Sequence, residues 1–274
     1  MIAPGAAYLA IRLGCFAGVL VLMATLERLR PRRTQILARV QRWPGNLALI
    51  VIDSIAARLV LAAAAIGVAA LSQAQGWGLL ELVALPGWVE IVLAIMLLDL
   101  VIYGQHVAFH SVPWLWRVHR MHHSDPEIDV TTALRFHPVE IILSLAIKGV
   151  AIAAIGASPL AVLIFEIVLN ATAMFNHSNI ALPLWLDALL RRVLVTPDMH
   201  RVHHSVERAE TNSNFGFNLP WWDWLFGTYR AQPAAGHNGM TIGLEEFRGV
   251  RDQRIDQLLV QPLRGTSIKG ADHG

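Results

Sequence analysis

One cysteine, Cys15, stands in 274 residues, which excludes a disulfide scaffold and any cluster of thiolate metal ligands. Charge is also scarce. Asp, Glu, Lys and Arg make up 15% of the chain, against roughly a quarter in ordinary soluble domains. That shortage excludes a disordered segment, a coiled coil and a nucleic-acid-binding module. Apolar residues fill the space: 55% of the chain is hydrophobic and the mean hydropathy is +0.48. Histidine is the other excess, with twelve in the chain, ten of them between His106 and His204. The composition predicts an integral membrane protein that binds metal.

Three apolar stretches are long enough for the roughly 20 residues that cross a bilayer as helix. Residues 6–26 contain one charge, Arg12; residues 45–71 contain Asp53 and Arg58; residues 87–110 contain Glu90 and Asp99. The first has neither the basic start nor the small-residue cleavage site of a secretion signal, so it reads as a retained span. A fourth apolar region, 139–175, is interrupted by Gly156, Ser158 and Pro159 and reads as a helical hairpin. Its arms are barely long enough to cross, and Lys148 lies inside the first, which leaves full spans and a re-entrant pair both open. The expected fold class is all-α: a multi-pass membrane helical bundle with a cytoplasmic, histidine-rich helical cap.

Orientation follows from the basic residues. The loop 27–44 carries Arg28, Arg30, Arg32, Arg33, Arg39 and Arg42, whereas the loop 72–86 has no Lys or Arg. The positive-inside rule places the first loop in the cytoplasm. Counting spans forward then puts every clustered histidine on that same cytoplasmic side. Asp99 and Arg58 fall at similar depths on consecutive spans, where buried charges tend to pair; an ion pair and a role for Asp99 near the metals are both open.

The histidines recur at helical spacing. His106 and His110 are four apart (HVAFH); His119, His122 and His123 (HRMHH) and His200, His203 and His204 (HRVHH) share a three-then-four pattern. On a helix these offsets put the rings on one face, suited to gripping an ion. His137 (RFHP) and His177 (NHSN) stand alone at the mouths of the hairpin and join the candidate set. His237 and His273 lie in a polar tail and are left out of it. Eight to ten neutral imidazoles exceed one coordination sphere, so two metals are expected, with the two near-identical boxes meeting in space. Imidazole alone permits zinc, copper, iron or nickel. Asp99, Asp125, Asp129, Glu140 and Asp198 are candidates for orienting the rings. The aromatic stretch 214–229 reads as an anchor at the lipid headgroups, with closure of the site as its competing role.

HVAFH, HRMHHSD, RFHPVE, NHSNI, TPDMHRVHHS and NFGFNLPWWDWLFGTY, in this order, resemble the fatty acid hydroxylase and sterol desaturase superfamily of membrane oxygenases. The resemblance covers residues 99–229 as a catalytic region, including the hairpin 139–175. Residues 1–110 form the preceding membrane helices and basic loop, and 230–274 a polar C-terminal tail. It implies metal ligation by His106, His110, His119, His122, His123, His137, His177, His200, His203 and His204. It implies two iron ions, for which zinc is a substitute, and activation of dioxygen against an unactivated C–H bond of a bilayer lipid, by hydroxylation or desaturation. Val107 follows His106 where many members have arginine, and Ala173 stands where some have a further histidine. No fused cytochrome b5 motif is visible, so electrons are expected from a separate donor protein. The residues by themselves leave open a membrane metal-binding or transport protein, and a metallohydrolase or isomerase using the ions as Lewis acids.

Overall fold

The computed structural model describes residues 4–60 and 65–265. Residues 61–64, inside the second apolar stretch, and 266–274, with His273, lie outside the described residues. Among the described residues the regular secondary structure is all helical, with two isolated bridges, Pro31 to Ile180 and Ser205 to Ile242, and no strand. The bundle is made of α1 (Pro4–Leu29), α2 (Arg39–Val60), α3 (Ala65–Gln75), α4 (Gly87–Ser111), α6 (Pro138–Ile155) and α7 (Pro159–Asn176). Helices α5 (Pro113–His123), α8 (Leu184–Leu190) and α9 (Pro197–His203) build a cap over one end.

Among the described residues, four helices are long and apolar enough to cross a membrane: α1, α4, α6 and α7. Exposed Leu9, Leu13, Val21 and Leu22 along α1 are the surface expected against lipid. The expected second span, 45–71, runs across residues 61–64 and so lies partly outside the described residues; its described parts are α2, which starts at Arg39 before the apolar stretch, and α3. The hairpin breaks where foreseen. Gly156 ends α6 in the left-handed conformation, φ 75°, which glycine adopts without a Cβ penalty. Pro159 opens α7 at its first turn, where its missing N–H costs nothing. Lys148, the charge inside the first arm, is paired across the hairpin with Glu166 at 2.8 Å.

The main core packs Ala69 of α3, Ala94, Leu98 and Ile102 of α4, Ile152 of α6 and Phe165 of α7. A second core joins Met23 of α1 and Met174 of α7 to Val130 and Ala133 of the cap. Of the two roles left open for Asp99, the pairing with Arg58 does not form. Asp99 accepts from the backbone N–H groups of Asn218 and Leu219 and from Trp222 Nε1 at 2.9 Å, while Arg58 is exposed. Three donors from one loop suit a carboxylate better than one distant guanidinium, because they desolvate together as the loop docks.

The basic loop belongs to the cap. Arg32 reaches Asp198 at 3.2 Å, Arg33 donates to the Met240 carbonyl at 2.8 Å, and buried Arg42 grips Asp125 and Asp129. The C-terminal segment is no loose tail up to residue 265. Gln253 accepts from Arg135 at 2.7 Å, Gln261 accepts from Ser124 at 3.0 Å through its side chain, and its carbonyl accepts from Arg120 at 2.7 Å. The segment thus covers the polar back of α5, satisfying buried guanidinium groups that would otherwise be costly.

Candidate metal centre

α4 delivers His106 and His110 at its cap end, one turn apart on one face. After the bend at Pro113, α5 brings His119, His122 and His123; α9, opened by Thr196 and Pro197, brings His200, His203 and, at its C-cap, His204. His177 caps the C-terminus of α7. Nine rings converge into two groups: His106, His110, His119, His123 and His203, and His122, His177, His200 and His204. Within each group one nitrogen of every ring lies within 4.8 Å of all the others. The groups adjoin, with the His123 and His204 rings stacked 4.6 Å apart.

Neither box serves one group. From HRMHH the i, i+4 pair His119 and His123 joins the first group and His122 the second; from HRVHH the pair His200 and His204 joins the second and His203 the first. On a helix, positions i and i+4 sit nearly over one another while i+3 is offset to the other side of that line. Two boxes packed face to face therefore exchange their third ring.

Hydrogen bonds fix which nitrogen is free. Nδ1 of His106, His119, His177 and His203 donates to the Phe215 carbonyl (2.8 Å), Glu140 (2.7 Å), the Ala173 carbonyl (2.7 Å) and the Ser213 carbonyl (2.8 Å). The proton on Nδ1 leaves a lone pair on Nε2. Nε2 of His106, His119 and His203 is buried without a hydrogen-bond partner, as are both nitrogens of His204. Nε2 of His177 faces Nε2 of His122 and of His200 at 3.1 Å each. Converging buried lone pairs with no donor to meet them are what a cation satisfies. Burial holds His122, His123, His200, His203 and His204 well below the ordinary histidine range, and neighbouring imidazoles push the same way. Burial brings His177 to about 4. The rings are therefore neutral near pH 7, the form that coordinates metal. No carboxylate joins either group.

His137 goes elsewhere. Its Nε2 donates to the Leu259 carbonyl at 3.1 Å and its Nδ1 accepts from the Val139 N–H as the N-cap of α6, so the ring has no free lone pair. Its neighbours carry the motif instead: Phe136 stacks on His122 at 4.6 Å, and Arg135 donates to the Met121 carbonyl. Of the candidate carboxylates only Glu140 holds a ring. Asp125 and Asp129 bind Arg42, and Asp198 binds Arg201, Arg32 and His237. His237 is buried beside Asp198, at 3.5 Å, outside both groups.

The aromatic stretch supports the first group from behind. Asn214, at φ 51°, turns the Ser213 and Phe215 carbonyls toward His203 and His106, a conformation that asparagine tolerates better than most residues. Both of its side-chain ends are tied down, to the Met199 and Arg230 carbonyls and to the Arg230 N–H. Asp223 accepts from the N–H groups of Phe215 and Gly216 at 2.8 Å each, and a Cβ at Gly216 would meet its Oδ2 at 2.7 Å. Asn214 and Asp223 hold the backbone behind His106 and His203, a placement that the sequence reading missed; the single carboxylate among the aromatics of WWDW was the available signal. Trp224 and Phe226 remain exposed, consistent with a headgroup-level anchor.

Glu140→Gln is expected to weaken metal retention by roughly 10- to 100-fold, because the carboxylate fixes the His119 tautomer. The check is the rate of metal loss to a chelator; equal rates in variant and wild type would remove Glu140 from this role.

A cavity of about 360 Å³ reaches this end of the bundle, and His106 and His119, both of the first group, are the histidines in its wall. A family model described as fatty acid hydroxylase matches residues 91–228, half of the chain. The chain is 32% identical over 175 residues to ornithine lipid hydroxylase OlsE of Rhizobium tropici, covering 64% of this chain and 50% of that protein. It is 29% identical over 158 residues to alkylglycerol monooxygenase of Homo sapiens, covering 55% and 33% respectively. Cholesterol 25-hydroxylase of Rattus norvegicus is 29% identical over 146 residues, covering 53% and 48%. The chain matches a third to a half of the length of these relatives. No solved structure matches.

Proposed function

The chain belongs to the fatty acid hydroxylase family, and from that premise we propose that it is a membrane oxygenase that hydroxylates or desaturates a lipid with dioxygen and electrons from a separate donor protein. The observation that carries this reading is the pair of all-imidazole groups at the end of a largely apolar cavity. The relatives are named as hydroxylases or a monooxygenase of three different lipids, so their names support the reaction class and leave the lipid undecided. In this proposal His106, His110, His119, His123 and His203 hold one ion and His122, His177, His200 and His204 the other. Two irons held there would supply dioxygen activation for C–H oxidation. The protein's part is placement. The cavity brings a lipid carbon against the first group alone, through His106 and His119, while Phe109, Phe136 and Phe217 exclude water from the same wall. Glu140 and the Phe215 and Ser213 carbonyls keep the Nε2 lone pairs of His119, His106 and His203 turned inward. Clustering at one end counts against a transport path, which would string ligands along the spans.

Metal analysis of protein purified without added metal tests this. Two irons per chain, with oxygen uptake that depends on lipid and reductant, are expected. Tightly held zinc with no oxygen uptake after iron reconstitution would favour hydrolytic chemistry and overturn the assignment.

The cytoplasmic placement of the centre is part of the same proposal. It is supported by the six-arginine loop, whose Arg32, Arg33 and Arg42 bind the cap itself. Ile36 is 93% exposed and Gln75 is exposed at the C-terminal end of α3, so each can carry a cysteine in a Cys15→Ser background. In intact cells a membrane-impermeant thiol reagent is expected to label Gln75→Cys, and Ile36→Cys only after permeabilisation. The reverse pattern would invert the topology and separate the centre from cytosolic electron donors.

A further inference from the structure

Resting on the oxygenase reading, a second feature of the cavity identifies the lipid class. Midway along the bundle its wall is charged. Glu166 of α7 is held by Arg12 of α1 at 2.9 Å through Oε2 and by Lys148 of α6 at 2.8 Å through Oε1. Asp53 of α2 lines the same cavity; it is 8% exposed, and its Oδ1 has no hydrogen-bond partner. Lys148 lies ten residues into α6 and Glu166 ten residues before the end of α7, each about 15 Å along its helix from the histidine end.

Three ionisable groups meeting at this depth, with Asp53 elsewhere on the same wall facing Glu140, are expensive and serve no acyl chain or sterol nucleus. A purely structural cluster would be closed on itself. Here two cations share one carboxylate, a local positive excess, while Asp53 and the Oε2 of Glu140 elsewhere on the wall have no cation against them. Arg12 is a third exposed, and both Arg12 and Glu166 also line an outer groove of about 760 Å³ between α1, α2 and α6, flanked by Leu9, Leu13 and Val150. The charged cluster is therefore the junction between an inner cavity that ends at His106 and His119 and an apolar groove on the lipid side.

We infer that this junction binds a zwitterionic lipid head group, its anionic end at Arg12 and Lys148 and its ammonium at Asp53, with an acyl chain in the outer groove and the carbon to be oxidised in the short inner cavity. Oxidation is then counted from the head group, and lengthening the chain in the groove does not move it.

The test uses the metal-loaded protein in detergent and probes that share a sixteen-carbon tail: Nα-palmitoyl-lysine, hexadecylphosphoethanolamine, palmitic acid, hexadecylamine and hexadecanol. Binding is read without turnover, by displacement of a fluorescent lipid. At least one zwitterion is expected to bind about tenfold or more tighter than hexadecanol, and the two zwitterions tell a carboxylate from a phosphate as the anion. Asp53→Asn, which breaks no contact present here, should abolish the preference for the zwitterion over palmitic acid, and Lys148→Met the preference over hexadecylamine. Metal content should stay at the wild-type level in both variants. Equal binding of hexadecanol and the zwitterions, or an unchanged preference in Asp53→Asn, overturns the inference. Oxygen uptake separates the two readings. Lipid-dependent uptake without head-group preference leaves the oxygenase and removes this site; head-group preference without uptake does the reverse.

Discussion

Alanine at His122 and alanine at His123, adjacent in one box, are expected to empty different ions. The two rings belong to different groups, as do His203 and its neighbour His204. If each group holds one ion, His122→Ala with His200→Ala removes two rings from the same group and leaves about one ion per chain. His122→Ala with His203→Ala damages both groups and leaves none. Each single variant should lower turnover by about a thousandfold or more, since metal assistance is worth several kcal/mol and each 1.36 kcal/mol is tenfold. His237→Ala, outside both groups, should keep the full metal content. Ion counts by elemental analysis decide the matter. If substitutions within HRMHH all strip one ion while those within HRVHH all strip the other, the exchange of third rings between boxes is wrong.

Replacing Arg42 by methionine is expected to cost about 3–5 kcal/mol of stability, the usual penalty for stranding a buried partner charge. Arg42 binds Asp125 through two nitrogens, at 2.6 and 2.8 Å, and Asp129 at 2.7 Å, and all three side chains are fully buried. Burial alone would push both carboxylates up, but Arg42 outweighs it and holds them below the ordinary range. A carboxylate with a depressed folded value stabilises above its unfolded pKa of about 4 and loses that contribution as pH falls through the folded value. The gap between wild type and Arg42→Met should therefore be full at pH 7, persist to about pH 4 and be smaller at pH 2. Unfolding in one detergent at these pH values reads this, and a gap independent of pH would show that Arg42 acts through packing alone. The consequence for the centre is direct, because Asp125 follows His122 and His123 by two or three residues and the Arg42 grip anchors the end of α5.

Much of this was legible in the residues because it is local. Apolar runs long enough to cross a bilayer, the hairpin broken at Gly156 and Pro159, and rings spaced three and four apart each need only one segment and one period. The basic loop was readable for the same reason, as composition within a short stretch. Partner choice was not. Nothing in HRMHH tells His122 from His123; their division between two groups depends on how α5 and α9 face each other. His137 was read with the ligands because its residue type was right, yet the start of α6 took both of its nitrogens. Asp99 found the docked loop 218–222 in place of Arg58. The acceptors that orient His106 and His203 are backbone carbonyls, which every residue carries, so only the positive-φ turn at Asn214 and the Asp223 anchor distinguish them. The sequence by itself determined the helices, the side of the bundle that carries the histidines and the family. The tertiary structure alone decided which ring serves which ion and which charge lines the cavity, because those depend on distances between segments far apart in the chain.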